Sequence, residues 1–141
     1  MERKDTYALG IAAIDYQHER IFECISNMPV GPSANDILRA DAEMARFVHL
    51  VQEHCELEEA MMRTLNYPEL EQHIEEHRQF QADIHELAQK SLRSKAGVSR
   101  EAMEVLNKWW TEHIMMTDRQ YVHFFADPTL HRRRKKGVRV G

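Results

Sequence analysis

Residues 54–77 read HCELEEAMMRTLNYPELEQHIEEH. The stretch reads as the end of one helix, a turn at Asn66-Tyr67-Pro68 and the start of a second helix. Each helix carries two possible metal ligands four residues apart: His54 with Glu58, and His73 with His77. A spacing of four returns to the same face of an α-helix, so each pair points one way. Either these histidines are ordinary surface residues, or they form half of a metal site. The rest of the chain decides between the two.

Outward from this hairpin, proline and glycine fall at boundaries. NMPVGPSAN (27–35) holds two prolines, SKAGVS (94–99) follows the second helix of the hairpin, and ADP (126–128) closes the last periodic segment. Between the breaks the sequence predicts four helices, over about 16–28, 34–65, 68–93 and 100–125. Ser33 is placed as an N-cap with Asp36 in the capping-box position, Pro68 suits a first helical position, and Ser99 caps the last helix. Phe22, Ile25 and Met28 mark an apolar face in the first helix, and Phe47, Val51, Met61, Met62 and Leu65 one in the second. Ile74, Phe80, Ile84 and Leu87 mark the third, and Val105, Trp109, Met116 and Phe124 the fourth. No stretch alternates with period two. Short connections between long helices predict an all-α, antiparallel up-down four-helix bundle, with residues 1–14 as an extended N-terminal arm.

The chain has 141 residues, enough for one domain with one sizeable core. We place that domain over residues 1–131. The final ten residues, RRRKKGVRVG (132–141), hold six of the 19 basic residues and no acid, and read as a disordered basic tail. Residues 1–131 keep 13 basic against 23 acidic residues, an acidic body that argues against a nucleic-acid-binding domain. The tail offers a docking segment for an anionic or protein partner. No run approaches the roughly 18 apolar residues of a membrane span, and MERKDTYALG has no apolar signal-peptide core. Cys24 and Cys55 are too few for a disulfide framework and read as free thiols in a reducing cytoplasm.

Nine histidines stand at 18, 49, 54, 73, 77, 85, 113, 123 and 131. A lone helical histidine is ordinarily a surface or hydrogen-bonded residue. The constellation is different. In a bundle, core ligands come from facing helices and aim inward. The first helix offers His18 and the fourth offers His113, so five histidines and Glu58 converge from all four helices. That exceeds what one tetrahedral zinc uses and suits two metal ions. Imidazole with bridging carboxylate is chemistry that iron accepts. No histidine has Glu three residues before it, which excludes a ferritin-like ligand pattern, and His-Glu-x-x-His is absent.

The elements GIAAIDYQH (10–18), HCELEEAMM (54–62), YPELEQHIEEH (67–77) and HIMMTD (113–118) resemble the hemerythrins, in particular the bacterial single-domain members. The resemblance covers about residues 6–125. It implies a four-helix bundle holding two iron ions that bind O₂ reversibly. One iron takes His73, His77 and His113. The other takes His18 and His54 and keeps an open position for O₂. Glu58 and Asp118 bridge the two, with an oxo or hydroxo group. Spacing alone does not select Asp118: it follows His113 by five residues, about 140° away on a regular helix, and reaches the same site only by flanking it or through a π-bulge.

The sequence departs from the family pattern at three places. Cys55 replaces a customary Phe, and reads as a small buried thiol filling the core. A customary Trp-Leu pair is here Trp109-Trp110; the resemblance makes both candidate O₂-pocket residues, and since the second position lines the pocket in the family, Trp110 narrows it. A customary Trp before the N-terminal Gly motif is missing. His49, His85, His123 and His131 match no ligand position, and Glu59 reads as a solvated or outer acid. The expected function is non-enzymatic O₂ carriage, storage or delivery in the cytoplasm. The alternatives are a sensor of O₂, NO or redox state acting through a partner or a larger parent protein, and a di-iron peroxidase or NO-reducing enzyme. No base or proton donor beyond the ligands stands out to support the last.

Overall fold

The computed structural model describes residues 11–113 and 118–126. Helix α1 spans Ala12–Ser26, α2 spans Ala34–Thr64, α3 spans Leu70–Arg93, α4 spans Arg100–Glu112 and α5 spans Arg119–Ala126. There is no strand among the described residues. Helix α2 packs on α1 and α3, and α4 packs on α1 and α3, so four helices close a ring in chain order. This is the predicted all-α four-helix bundle.

The helix starts follow local chemistry. Ser33 Oγ accepts from the backbone N–H of Asp36 at 3.1 Å, and Ser99 Oγ accepts from that of Ala102 at 3.0 Å. Both are the predicted N-caps. Three boundaries differ from the reading of the sequence. Helix α1 begins at Ala12 rather than near 16, because the Asp15 N–H already bonds to the Ile11 carbonyl at 2.8 Å and Ile14 is fully buried. Pro68 does not open α3; the helix starts at Leu70, after Glu69. The turn before it is a Schellman closure of α2. Asn66 takes φ +55°, its N–H bonds to Arg63 O at 3.2 Å, and the Tyr67 N–H bonds to Met62 O at 2.9 Å. Asn tolerates this left-handed conformation better than other non-glycine residues. The predicted single helix over 100–125 is described as α4 and α5, with π-helical backbone at His113 and Asp118. The arm predicted over residues 1–14 is overturned at its end, where residues 12–14 already belong to α1; its residues 1–10 and the basic tail over 132–141 lie outside the described residues.

At the other end of the bundle, two loops meet. The Gly31 N–H bonds to the Val98 carbonyl at 3.2 Å, and Gly97 holds φ +76° against the Gly31 backbone. A side chain at 97 meets the Gly31 carbonyl, so this crossing requires glycine.

The core has two apolar clusters. The larger holds Ile21, Ile25, Met44, Phe47, Val51, Ile84, Leu106 and Trp110 among others. The smaller holds Met62, Tyr67 and Phe124, with Ile11, Leu65 and Leu70 against it. Along α1 the chain runs from the small cluster to the large one. Along α2 it runs back, along α3 it returns, and through α4 and α5 it runs back again. That alternation is the up-down topology. Between the clusters, each leg of the helical bundle passes a level where apolar residues give way to histidine or carboxylate.

Candidate metal centre

The polar level is built from core positions. In α1 the buried stripe reads Ile14, His18, Ile21, Ile25, and in α2 it reads Phe47, Val51, His54, Glu58, Met62. Steps of three and four residues keep all of these on the inward face. The histidines thus stand where the helical period calls for apolar side chains. His18, His54, Glu58, His73, His77, His113 and Asp118 are all buried; His113, the most exposed, is 7% accessible. Charged side chains at such depth cost free energy unless they pair or hold a metal.

Two groups of ligand atoms meet, each within 4.8 Å of one another: His18, His54, Glu58 and Asp118, and Glu58, His77, His113 and Asp118. The two carboxylates belong to both. Asp118 Oδ2 lies 2.8 Å from His18 Nε2 and 3.1 Å from His54 Nε2, while Asp118 Oδ1 lies 3.0 Å from His113 Nε2. Glu58 Oε2 lies 3.1 Å from His54 Nε2, while Glu58 Oε1 lies 3.0 Å from His77 Nε2 and 3.5 Å from His113 Nε2. Each carboxylate therefore gives one oxygen to either half. His73 is buried with its ring 5.8 Å from that of His77 and 5.6 Å from Tyr67, outside both groups. The π-helical backbone at His113 and Asp118 accompanies their meeting, which a regular helix forbids at a spacing of five.

The donor set fits cations. Bonds of about 2.0–2.2 Å from nitrogen and oxygen ligands place ligand atoms about 3 to 4 Å apart around one ion, the scale of both groups. His77 Nε2, His113 Nε2 and Asp118 Oδ1 are buried without a well-aligned hydrogen bond, although His77 Nε2 stands 3.0 Å from Glu58 Oε1 and His113 Nε2 stands 3.0 Å from Asp118 Oδ1: the donor atoms crowd one space. The charges are strongly coupled. Burial works against charge on His54 and His113, yet Glu58 and Asp118 push them up to about 9 and about 10. Burial likewise opposes the charge on Glu58, but His54, His113 and His77 hold its carboxyl well below the ordinary carboxylate range. Burial and Glu58 raise Asp118, and His113 with His18 more than offsets them. The imidazoles around them thus hold both carboxylates in the anionic form.

Two outer residues orient the imidazoles. His54 donates its Nδ1–H to Gln17 Oε1 at 2.8 Å, and His77 donates its Nδ1–H to Glu59 Oε2 at 2.8 Å. Both bonds leave the Nε2 lone pair facing inward. The sequence reading left Glu59 without a defined partner and passed over Gln17. Each adjoins a ligand, Glu58 and His18, and the helical turn of about 100° per residue aims it at the neighbouring helix.

Trp110 is fully buried, with its ring 5.4 Å from His18, 5.3 Å from His54 and 5.3 Å from His113, on which it stacks. Trp109 is half-buried and instead lines a surface groove with Glu76, Phe80, Asp83 and Glu112, which reaches His113. Of the two tryptophans, only Trp110 touches the polar level over several histidines. Cys55 is fully buried in the larger cluster. Burial, then Glu58 and Asp118, push its thiol far above the ordinary range. His49 pairs with Glu53 on the surface, and His85 and His123 are exposed. His131 lies outside the described residues.

The profile of the hemerythrin HHE cation-binding domain matches residues 9–124. Bacteriohemerythrin of Stenotrophomonas maltophilia (strain R551-3) is 29% identical over 120 residues, 84% of this chain and 76% of its own length. Myohemerythrin of Theromyzon tessulatum is 26% identical over 117 residues, 83% of this chain and 87% of its own length. A wild-type hemerythrin crystal structure superposes with a TM-score of 0.76 at 19% identity, over 93% of this chain and 97% of that one. The last match speaks for the fold alone.

Proposed function

Because the chain belongs to the hemerythrin HHE cation-binding family, we propose that its buried histidine–carboxylate cluster is a non-haem di-iron centre that binds O₂ reversibly. His18 and His54 would hold one iron, and His73, His77 and His113 the other, with Glu58 and Asp118 shared between the two. The observation that carries this reading is the division of each carboxylate, one oxygen toward His18 and His54 and the other toward His77 and His113. Two ferrous ions would supply the electrons that reversible O₂ binding requires. The protein's own residues do the rest. Imidazole Nε2 atoms donate electron density to the metals, and the carboxylates offset their charge. Trp110, with the larger apolar cluster behind it, excludes water from the half held by His18 and His54. Dry surroundings slow oxidative loss of a bound ligand. We read the protein as a carrier, store or delivery protein for O₂ rather than an enzyme.

The test is metal content with an optical spectrum, on protein reduced without air and then exposed to O₂. Two irons per chain, colourless when reduced and gaining ligand-to-iron charge-transfer bands in air that vanish on deoxygenation, are expected. Protein that holds zinc or manganese after expression in iron-replete cells, or that holds no metal, overturns the assignment.

A further inference from the structure

The two halves of the centre have unlike outer support. His77 donates its Nδ1–H to a carboxylate, Glu59, at 2.8 Å. His54 donates its Nδ1–H to a neutral amide, Gln17, at the same distance. Both acceptors sit one residue from a ligand on the preceding helix, so α1 braces α2 through Gln17, and α2 braces α3 through Glu59. The geometry is matched and the charge is not.

We propose that Glu59 and Gln17 are positioning residues that make the two metal positions electronically unequal: Glu59 turns His77 into the stronger donor, and Gln17 leaves His54 the weaker one. The inference rests on the di-iron reading above. A carboxylate acceptor draws the Nδ1 proton toward itself and loads negative charge onto Nε2, which raises the ligand's basicity. Hydrogen bonds to an ionised acceptor are roughly twice as strong as neutral ones. Glu59 is 23% exposed, so water screens part of its charge, but His77 is 1% exposed and the bond points inward. An amide carbonyl fixes the His54 ring and tautomer without adding charge. A metal beside His77 would therefore be bound more tightly and be easier to oxidise than one beside His18 and His54.

The experiment starts with metal-free protein titrated with Co²⁺ against a competing chelator. Wild type is expected to take two ions per chain with distinct affinities. Glu59→Gln is expected to weaken the tighter affinity about 10- to 100-fold. It is also expected to raise the reduction midpoint of the iron-loaded protein. Glu59→Asp, which keeps the charge, restores both toward wild type. Gln17→Glu shifts the midpoint the opposite way and narrows the gap between the two affinities. A merely structural role for Glu59 does not move the midpoint in a direction set by charge. Unchanged Co²⁺ affinities and midpoint in Glu59→Gln, or a Gln17→Glu midpoint that stays put, overturn the inference while leaving the di-iron reading intact. Wild type that binds fewer than two Co²⁺ ions overturns both.

Discussion

Trp110 is the largest fully buried side chain among the described residues, and it stands against the candidate site. Its ring packs within 5.5 Å of three histidine rings, and its indole N–H is buried without a hydrogen bond. A smaller apolar side chain there opens space beside His18 and His54. Trp110→Leu is expected to cost roughly 2 kcal/mol of stability from the cavity. It is also expected to change O₂ affinity and the autoxidation rate, read by stopped-flow and by the decay of the oxygenated spectrum. Unchanged values for both would remove Trp110 from the ligand pocket. The cysteines make the opposite case, of residues kept out of chemistry. Burial, then a hydrogen bond to Glu43, push the Cys24 thiol up to about 12, and Cys55 is raised further. A raised thiol pKa means that the protonated, unreactive form holds at neutral pH and thiolate forms only as pH climbs toward that value. Iodoacetamide at pH 8 is expected to label neither cysteine in the native protein and both in urea, by mass spectrometry. Native labelling of Cys55 would show that the core beside His54 opens.

At the scale of the element, each helix follows its own caps and stripe. Ser99 Oγ holds the Ala102 N–H at the start of α4, the helix that carries Trp110 and leads into His113. Ser99→Ala is expected to cost about 1 kcal/mol in a urea unfolding series. It should leave two irons per chain in place, because the cap lies more than two turns from His113. Lost iron in that variant would mean that the start of α4 sets the ligand geometry directly. The last helix was legible only in part. Its caps and its apolar residues predict a continuous α-helix from 100, and regular geometry sends Asp118 away from His113. The resemblance supplied Asp118, and the π-helical backbone at both residues is how the helix brings the two side chains to 3.0 Å. No composition signal in 113–118 announces that change of pitch.

At the scale of the whole molecule, four helices each place a polar level between two apolar clusters, and the ring of packed helices stacks those levels together. Buried imidazoles and carboxylates without a metal are a liability, since apolar residues of the same size leave no charge to satisfy. Metal that binds only the folded chain stabilises it by mass action, about 4 kcal/mol at a free concentration 1,000-fold above Kd. Thermal unfolding is expected at higher temperature with Fe²⁺ or Co²⁺ than with chelator. His77→Ala is expected to abolish stable binding of two ions and most of that shift. Full iron content in His77→Ala would show the ligand assignment on α3 to be wrong.

The sequence by itself determined the four-helix layout, the two serine N-caps and the inward aim of His18, His54, Glu58, His77 and His113. These depend on spacing along one helix, and a period of 3.6 residues is a local property that composition reveals. The early start of α1 escaped it, because Ile14 is drawn into the helix by burial against other elements. Only the tertiary structure decided how Glu58 and Asp118 divide their oxygens, that Trp110 rather than Trp109 covers the histidines, and that Gln17 and Glu59 hold His54 and His77. Each of these is a contact between helices 18 to 100 residues apart in the chain. Such contacts depend on the rotation and rise of one helix against another, which no single helix encodes.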